Sequence, residues 1–140
     1  MAKKIRIVCI GKVKEPFILE GIKEYQKRLS PHCSVDIIEL KDEGMQKEKE
    51  KLQHYLDEHT YLLDEQGTVY TSLSFAKLIK DVQELTFIIG GHEGTDVALK
   101  KQAKTIALSS MTFTHEMCRL FLFEQIYRAH MILNNKPYHK

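Results

Sequence analysis

The stretch LTFIIGGHEG, residues 85–94, decides the fold class of this 140-residue chain. The run LTFII is short and rich in β-branched and aromatic residues, which is typical of a buried strand, and the glycines after it end the strand. Comparable runs predict four more strands, at residues 4–10, 35–40, 61–63 and 105–108. We therefore expect a sheet of five short strands.

Helical segments separate these strands. They are predicted at residues 17–29, opened by Pro16, at 46–59, from Ser74 to about residue 81, at 96–104 and at 114–133. Strands that alternate with helices predict a parallel sheet covered on both faces. The sequence has no internal repeat and no linker, so we expect one α/β domain over residues 1–140.

Ligands of open α/β sheets bind beyond the carboxyl ends of the strands. Three such ends are chemically suggestive, at residues 64–67, 90–94 and 109–114. Glycines in the second segment would let the backbone approach a ligand, although a glycine pair after a strand is as often a tight turn. The glycine loop is not the dinucleotide fingerprint GxGxxG, which would be expected after the first strand. It also lacks the Gly-Lys-Ser/Thr of an ATP-binding loop, so nicotinamide and ATP sites are disfavoured.

Composition excludes several classes of protein. Hydrophobic residues make up 43% and charged residues 29%, as in ordinary globular proteins. The apolar runs are far shorter than the ~20 residues of a membrane span, and the run at residues 7–10 lacks a signal-peptide cleavage site. We expect a cytoplasmic protein with no membrane partner. Three scattered cysteines argue against disulfides and structural zinc, so no metal is expected.

The net charge of +2 is unevenly distributed. Residues 1–34 carry +5, residues 35–65 carry −6 and residues 66–140 carry +3. A polyanion such as RNA would meet the two basic ends and avoid the acidic middle. A solvated surface of mixed charge is the more common origin of such a pattern, so charge alone does not identify an RNA-binding protein.

The segment 114–133 is apolar almost all round, so as a helix it must be buried on more than one side. The sheet can cover one side and a second copy of the chain another, which predicts a homodimer. Glu124 and Arg128, four residues apart, are best explained as an ion pair. Arg119 and His115 lie on another stripe, where a buried charge needs a partner and a ligand phosphate would serve.

Two stretches, FIIGGHEG (residues 87–94) and LSSMTFTHEMCRLFLFEQIYRAHMILNNKPYHK (residues 108–140), closely resemble the RlmH family. Its members are small SPOUT-superfamily methyltransferases that modify N3 of a pseudouridine in large-subunit ribosomal RNA. The opening IVCIGKVK and the strand VDIIEL also look like that family, so the likeness runs from end to end. Its most specific part is the ordered set GGxxG, LSxxTxxHxxxR, EQxYRA and PYHK.

The resemblance implies a C-terminal trefoil knot, the α/β knot of SPOUT proteins, which sequence physics alone would disfavour because true knots are rare. It implies S-adenosylmethionine as methyl donor, contacted by Leu63, Gly91, Ser109, Ser110, Met111, Thr112, Phe113 and Thr114. Near the RNA substrate it implies Arg119, Tyr138 and His139, with His115 as a further candidate. Family dimers place the tail of one subunit near the donor site of the other.

Two departures and two alternatives accompany this interpretation. Thr114 stands where the family usually has proline, and it can cap the last helix instead; the segment 44–60 is shorter than usual. The alternatives are a SPOUT enzyme of other RNA specificity and a non-catalytic ribosome- or RNA-binding module. The short chain favours a substrate already held by the ribosome. His115, His139 or the cation of Arg119 could assist loss of the N3 proton, and the sequence does not choose among them.

Overall fold

A computed structural model, which describes residues 3–91 and 95–140, confirms the predicted alternation of strands and helices. The strands are β1 (Lys3–Ile10), β2 (Cys33–Leu40), β3 (Thr60–Val69), β4 (Glu84–Ile89) and β5 (Lys104–Ala107). The helices are α1 (Pro16–Leu29), α2 (Met45–Gln53), α3 (Ser72–Lys80), α4 (Val97–Gln102) and α5 (His115–Leu133).

The strands form one parallel sheet in the order β2-β1-β4-β3-β5, which confirms the predicted fold class. Connections that move toward the β2 edge use α1 and α3 on one face, and those toward the β5 edge use α2 and α4 on the other. Connections between parallel strands are right-handed, so those that run in opposite directions along the sheet must place their helices on opposite faces. Because the strands are parallel, their carboxyl ends all lie along the same edge of the sheet, which runs across the strands.

Alternate residues of β1 belong to two separate cores. Ile5, Ile7 and Cys9 pack in the core that α1, α3 and α5 complete. Val8 and Ile10 pack in the core that α2 and α4 complete. Burial on both faces explains why the strand sequences are nearly continuous apolar runs.

Helix α5 lies between α1 and α3 on one face of the sheet. Phe123, Ile126 and Ala129 are at most 1% exposed there. Gly21 of α1 permits a close approach, since a Cβ at that position would lie 2.8 Å from the Leu120 side chain. Two helices of the same chain thus supply burial on more than one side, and the homodimer stays a prediction. Neither α5 nor any other helix in the described residues is long and apolar enough to cross a membrane.

Strand β3 is interrupted by a bulge. Leu63 and Thr68 both pair with Ile106 of β5, so residues 64–67 leave the ladder. Gly67 permits this geometry because a Cβ there would lie 2.7 Å from the backbone nitrogen of Ile106. The sequence predicts the loop at 64–67 but not the resumption of the strand beyond it, which depends on the partner strand.

The helix predicted at residues 46–59 is too long, because α2 ends at Gln53. Thr60 closes a turn after it: its hydroxyl donates to the Tyr55 carbonyl at 2.7 Å and accepts from the backbone N–H of Asp57 at 3.2 Å. Such side-chain bonds offer the backbone an alternative to the helix.

Helix caps account for two other boundaries. Thr71, not the predicted Ser74, caps α3, and the two residues form a reciprocal capping box. The predicted cap of the last helix is confirmed, since the Thr114 hydroxyl accepts from the backbone N–H of Met117 at 3.1 Å. The threonine therefore satisfies a backbone N–H at the helix start through its hydroxyl, which a proline side chain could not do.

We expect Gly67→Ala to lower the free energy of unfolding by about 2 kcal/mol, a typical cost of overpacking. The added methyl group would have to displace the β5 backbone at Ile106. Urea unfolding followed by circular dichroism measures the change. Thr68→Ala is the matched control: this residue is exposed on the same bulge, and its change should stay within about 0.5 kcal/mol. Equal unfolding midpoints for Gly67→Ala and the unchanged protein would contradict this account.

Candidate active site

A cleft of about 530 Å³ opens at the bulge of β3 and at the carboxyl ends of β4 and β5, and this volume lies in the range of small-molecule sites. The segments 63–65, 89–91 and 108–114 contribute to its lining, and His115 and Cys118 of α5 complete one wall. The structure thus brings together the three strand ends that the sequence singles out. Residues 92–94 of the glycine loop lie outside the described residues.

Most residues predicted to contact a methyl donor line this cleft. They are Leu63, Gly91, Ser109, Met111, Thr112, Phe113 and Thr114. Ser110 is exposed and does not line it. The Ser109 hydroxyl accepts from the backbone N–H of Met111 at 3.0 Å, which holds the loop in a tight turn.

Charged residues that the sequence analysis did not name also line the cleft. Asp64 pairs with Lys100 of α4 at 3.5 Å, and the Thr112 hydroxyl donates to Glu65. The two carboxylates follow directly after the first part of β3, so a search of strand ends for acidic pairs would have found them. Lys100 is distant in sequence and gives no such signal. Within residues 3–91 and 95–140, no three His, Cys, Asp or Glu side chains converge as a metal site.

Arg119 does not line the cleft. Its side chain is 2% exposed; Nη1 contacts Glu39 at 2.6 Å, and Nη2 donates to the Gly11 carbonyl at 3.1 Å. The buried charge therefore has its partner within the chain, and a ligand phosphate is not needed to balance it.

The tail residues Tyr138 and His139 lie against the outer side of α5. The Tyr138 hydroxyl donates to Glu124 at 2.6 Å, and Arg128 donates to His139 Nδ1 at 3.1 Å. Burial and the Glu124 carboxylate raise the pKa of Tyr138. Arg128 also pairs with Glu124 at 2.7 Å, which confirms the predicted ion pair. Neither tail residue lines the cleft of its own chain, whereas His115 does.

A family model described as Predicted SPOUT methyltransferase matches residues 3–139. The chain belongs to this family. Three similar proteins bear the name Ribosomal RNA large subunit methyltransferase H: that of Desulforamulus reducens is 44% identical over 98% of this chain and 99% of its own. The protein of Trichlorobacter lovleyi is 43% identical over 97% of this chain and 99% of its own length. The protein of Synechococcus sp. is 41% identical over 98% of this chain and 96% of its own length.

These similarities confirm the resemblance to the RlmH family that the motifs indicate. The chain is a methyltransferase, and its reaction requires a methyl donor. The C-terminal knot that the resemblance implies stays a prediction.

Cys118 gives this SPOUT methyltransferase a chemical reporter inside its cleft. Burial, and to a smaller extent the nearby Glu65, raise the pKa of its thiol, so little reactive thiolate exists at neutral pH. Its alkylation by iodoacetamide should therefore be slow at pH 7 and should still accelerate as the pH passes the ordinary thiol pKa of 9.0.

Peptide mass spectrometry measures this labelling, and the other two cysteines are internal controls. Both are buried, and burial raises the pKa of Cys9 to about 12 and that of Cys33 to about 11. They should stay unlabelled in the folded protein. A Cys118 rate that reaches its plateau below pH 8 would show an unperturbed or lowered pKa, contrary to expectation.

Proposed function

We propose that this chain transfers a methyl group from S-adenosylmethionine to N3 of a pseudouridine in large-subunit ribosomal RNA. The observation that carries the proposal is the cleft itself, because the family motifs GGxxG and LSxxT contribute its walls at residues 90–91 and 108–112. The name that these relatives share points to the same RNA. We place the reaction in the cytoplasm, on assembled ribosomes, and treat residues 1–140 as one methyltransferase domain.

The cleft residues fit a sulfonium donor. Gly91 lets the backbone of the glycine loop approach a ligand, and the loop 109–114 offers backbone N–H and carbonyl groups on the opposite side. Asp64 is offset by its ion pair with Lys100, so Glu65 supplies the remaining negative charge, which favours a cation in a partly enclosed site. We propose that these residues, with Leu63, hold the donor.

Bound S-adenosylmethionine supplies an electrophilic methyl group for an in-line displacement. The protein contributes alignment of the acceptor nitrogen and exclusion of water, which account for most of the acceleration in such transfers. The N3 proton must also leave. Of the four side chains predicted near the substrate, His115 lines the cleft, so we propose that its imidazole accepts or holds this proton.

We further propose a homodimer in which each tail completes the cleft of its partner. Tyr138 and His139 are fixed to Glu124 and Arg128 on the outer side of α5, away from the cleft of their own chain. Glu124 and Arg128 are themselves half-buried, so this outer side presents a fixed polar cluster bordered by aromatic rings such as Tyr127. A two-fold axis would place two such clusters symmetrically.

Transfer of labelled methyl groups from S-adenosylmethionine to large ribosomal subunits tests the proposed function. Nucleoside mass spectrometry should find the label as N3-methylpseudouridine. No transfer by the unchanged protein would overturn the proposal, and label on another nucleotide would assign a different RNA specificity.

Gly91→Val should weaken donor binding at least tenfold, about 1.4 kcal/mol in binding free energy. A Cβ at this position would lie 2.8 Å from the Glu48 carboxylate and 3.2 Å from the Ile10 side chain, so the larger side chain must displace these groups or shift the backbone at residue 91. Calorimetric titration with S-adenosylmethionine measures the change, with NADH and ATP as control ligands. Unchanged affinity would remove this loop from the donor site.

Mixing two inactive variants tests the shared site. Gly91→Val damages the donor side of a cleft and His139→Ala damages the tail. If the tail acts on the partner's cleft, each mixed dimer has one intact site, and an equimolar mixture should recover about a quarter of normal activity. Sites built within single chains would recover none. Light scattering on the same samples verifies that dimers form.

A further inference from the structure

The loop at residues 11–15, between β1 and α1, is held by two buried side chains of α5. The first is Glu116, which is 9% exposed. Its carboxylate accepts from the backbone N–H of Lys14 at 3.2 Å and from that of Glu15 at 3.1 Å. Both oxygens are thus engaged with the loop backbone.

The second side chain is Arg119, which holds the start of the loop. Its Nη2 donates to the Gly11 carbonyl at 3.1 Å, while Glu39 at the end of β2 balances its charge. Gly11 has a positive φ of 84° and donates its own N–H to the Leu40 carbonyl at 2.7 Å. The loop backbone is therefore fixed at both ends, in a conformation that a residue with a side chain would adopt under strain.

This loop lies at the same edge of the sheet as the cleft. In the ladder Cys9 of β1 pairs with Ile89 of β4, so the residues that follow each strand are neighbours. The cleft-lining Gly91 would bring a Cβ within 3.2 Å of Ile10. His115 also lines the cleft and directly precedes Glu116 in α5. The loop therefore adjoins the residues that line the cleft.

The loop presents positive charge to solvent. Lys12 and Lys14 are both exposed. The negative charge of Glu116 is buried under the loop, whereas that of Glu15 is exposed beside Lys14. A lysine side chain can reach a phosphate from a fixed backbone, and a preformed loop loses little conformational entropy when it binds.

We propose that the loop 11–15 is a preformed RNA contact, in which Lys12 and Lys14 bind phosphates beside the acceptor nucleotide. Glu116 and Arg119 are its positioning residues: they hold the loop from behind and do not touch RNA. The inference rests on the proposed function, since it requires an RNA substrate at this edge of the sheet. Arg119 can hold the loop although its side chain is buried, because this role requires no contact with RNA.

Binding of the full-length protein to purified large ribosomal subunits tests the proposal. Lys12→Glu/Lys14→Glu should weaken binding at least tenfold and leave S-adenosylmethionine affinity unchanged. The matched control is Lys4→Glu/Lys80→Glu, which makes the same change of charge at exposed positions. Lys4 lies near the amino end of β1, and the Lys80 carbonyl lies 3.5 Å from Nζ of Lys3, so both are at the opposite edge of the sheet. The control should bind as the unchanged protein does.

The salt dependence of binding gives a second measure. Loss of two phosphate contacts in Lys12→Ala/Lys14→Ala should reduce the slope of log K against log salt by about 1.4 to 1.8. A slope equal to that of the unchanged protein would overturn the assignment of these lysines to phosphates.

Glu116→Gln tests the positioning role, because an amide has one carbonyl oxygen where the carboxylate uses two. It should raise KM for ribosomal subunits several-fold more than it lowers kcat. A residue that only supports the fold would lower the melting temperature, kcat and donor affinity together, and that pattern would overturn the positioning role.

The outcomes separate this inference from the proposed function. If the unchanged protein neither binds nor methylates large ribosomal subunits, the proposed function fails. If it does both, and the Lys12/Lys14 variant behaves like the Lys4/Lys80 control, the loop is not an RNA contact and the proposed function stands.

Discussion

The burial of α5 between α1 and α3 is the constraint on which the cleft depends. β5 is an edge strand, whereas α5 packs over the interior of the sheet between those two helices. The connecting residues 108–114 must therefore turn back past the bulge of β3 and the carboxyl end of β4. That route brings their backbone opposite the glycine pair at 90–91. The packing of an apolar helix thus decides where a ligand site forms.

Buried charge near the start of α5 is matched inside the chain. Arg119 has Glu39 as its partner, and Glu116 is satisfied by two backbone N–H groups. Removal of Glu39 would leave the buried Arg119 charge without its ion-pair partner, which would be destabilising. The HxxxR part of the motif therefore combines two roles: His115 lines the cleft, and Arg119 holds Glu39 and the Gly11 carbonyl at the ends of β2 and β1.

Local patterns in the sequence predict the structural features that depend only on residues close together in the chain. The strand run LTFII, the Thr114 cap and the ion pair of Glu124 with Arg128 all follow from spacing alone. The convergence of three strand ends follows from the parallel sheet. Other features depend on distant partners: Glu39 lies 80 positions from Arg119, and β3 resumes after its bulge only because β5 lies beside it. The periodicity of the sequence does not predict such pairings. The reaction is predicted from the family motifs and not from the pattern of strands and helices.

The position of α5 has a consequence for how the protein is made. Residues 115–133 emerge from the ribosome after the other four helices, yet Phe123 and Ile126 fill the space between α1 and α3. Until that segment is free, Ile22 and Phe75 border an uncovered apolar channel. Incomplete chains therefore expose the kind of surface that chaperones and proteases bind. Cellular quality control can thus distinguish a finished molecule from a truncated one by the presence of a single helix.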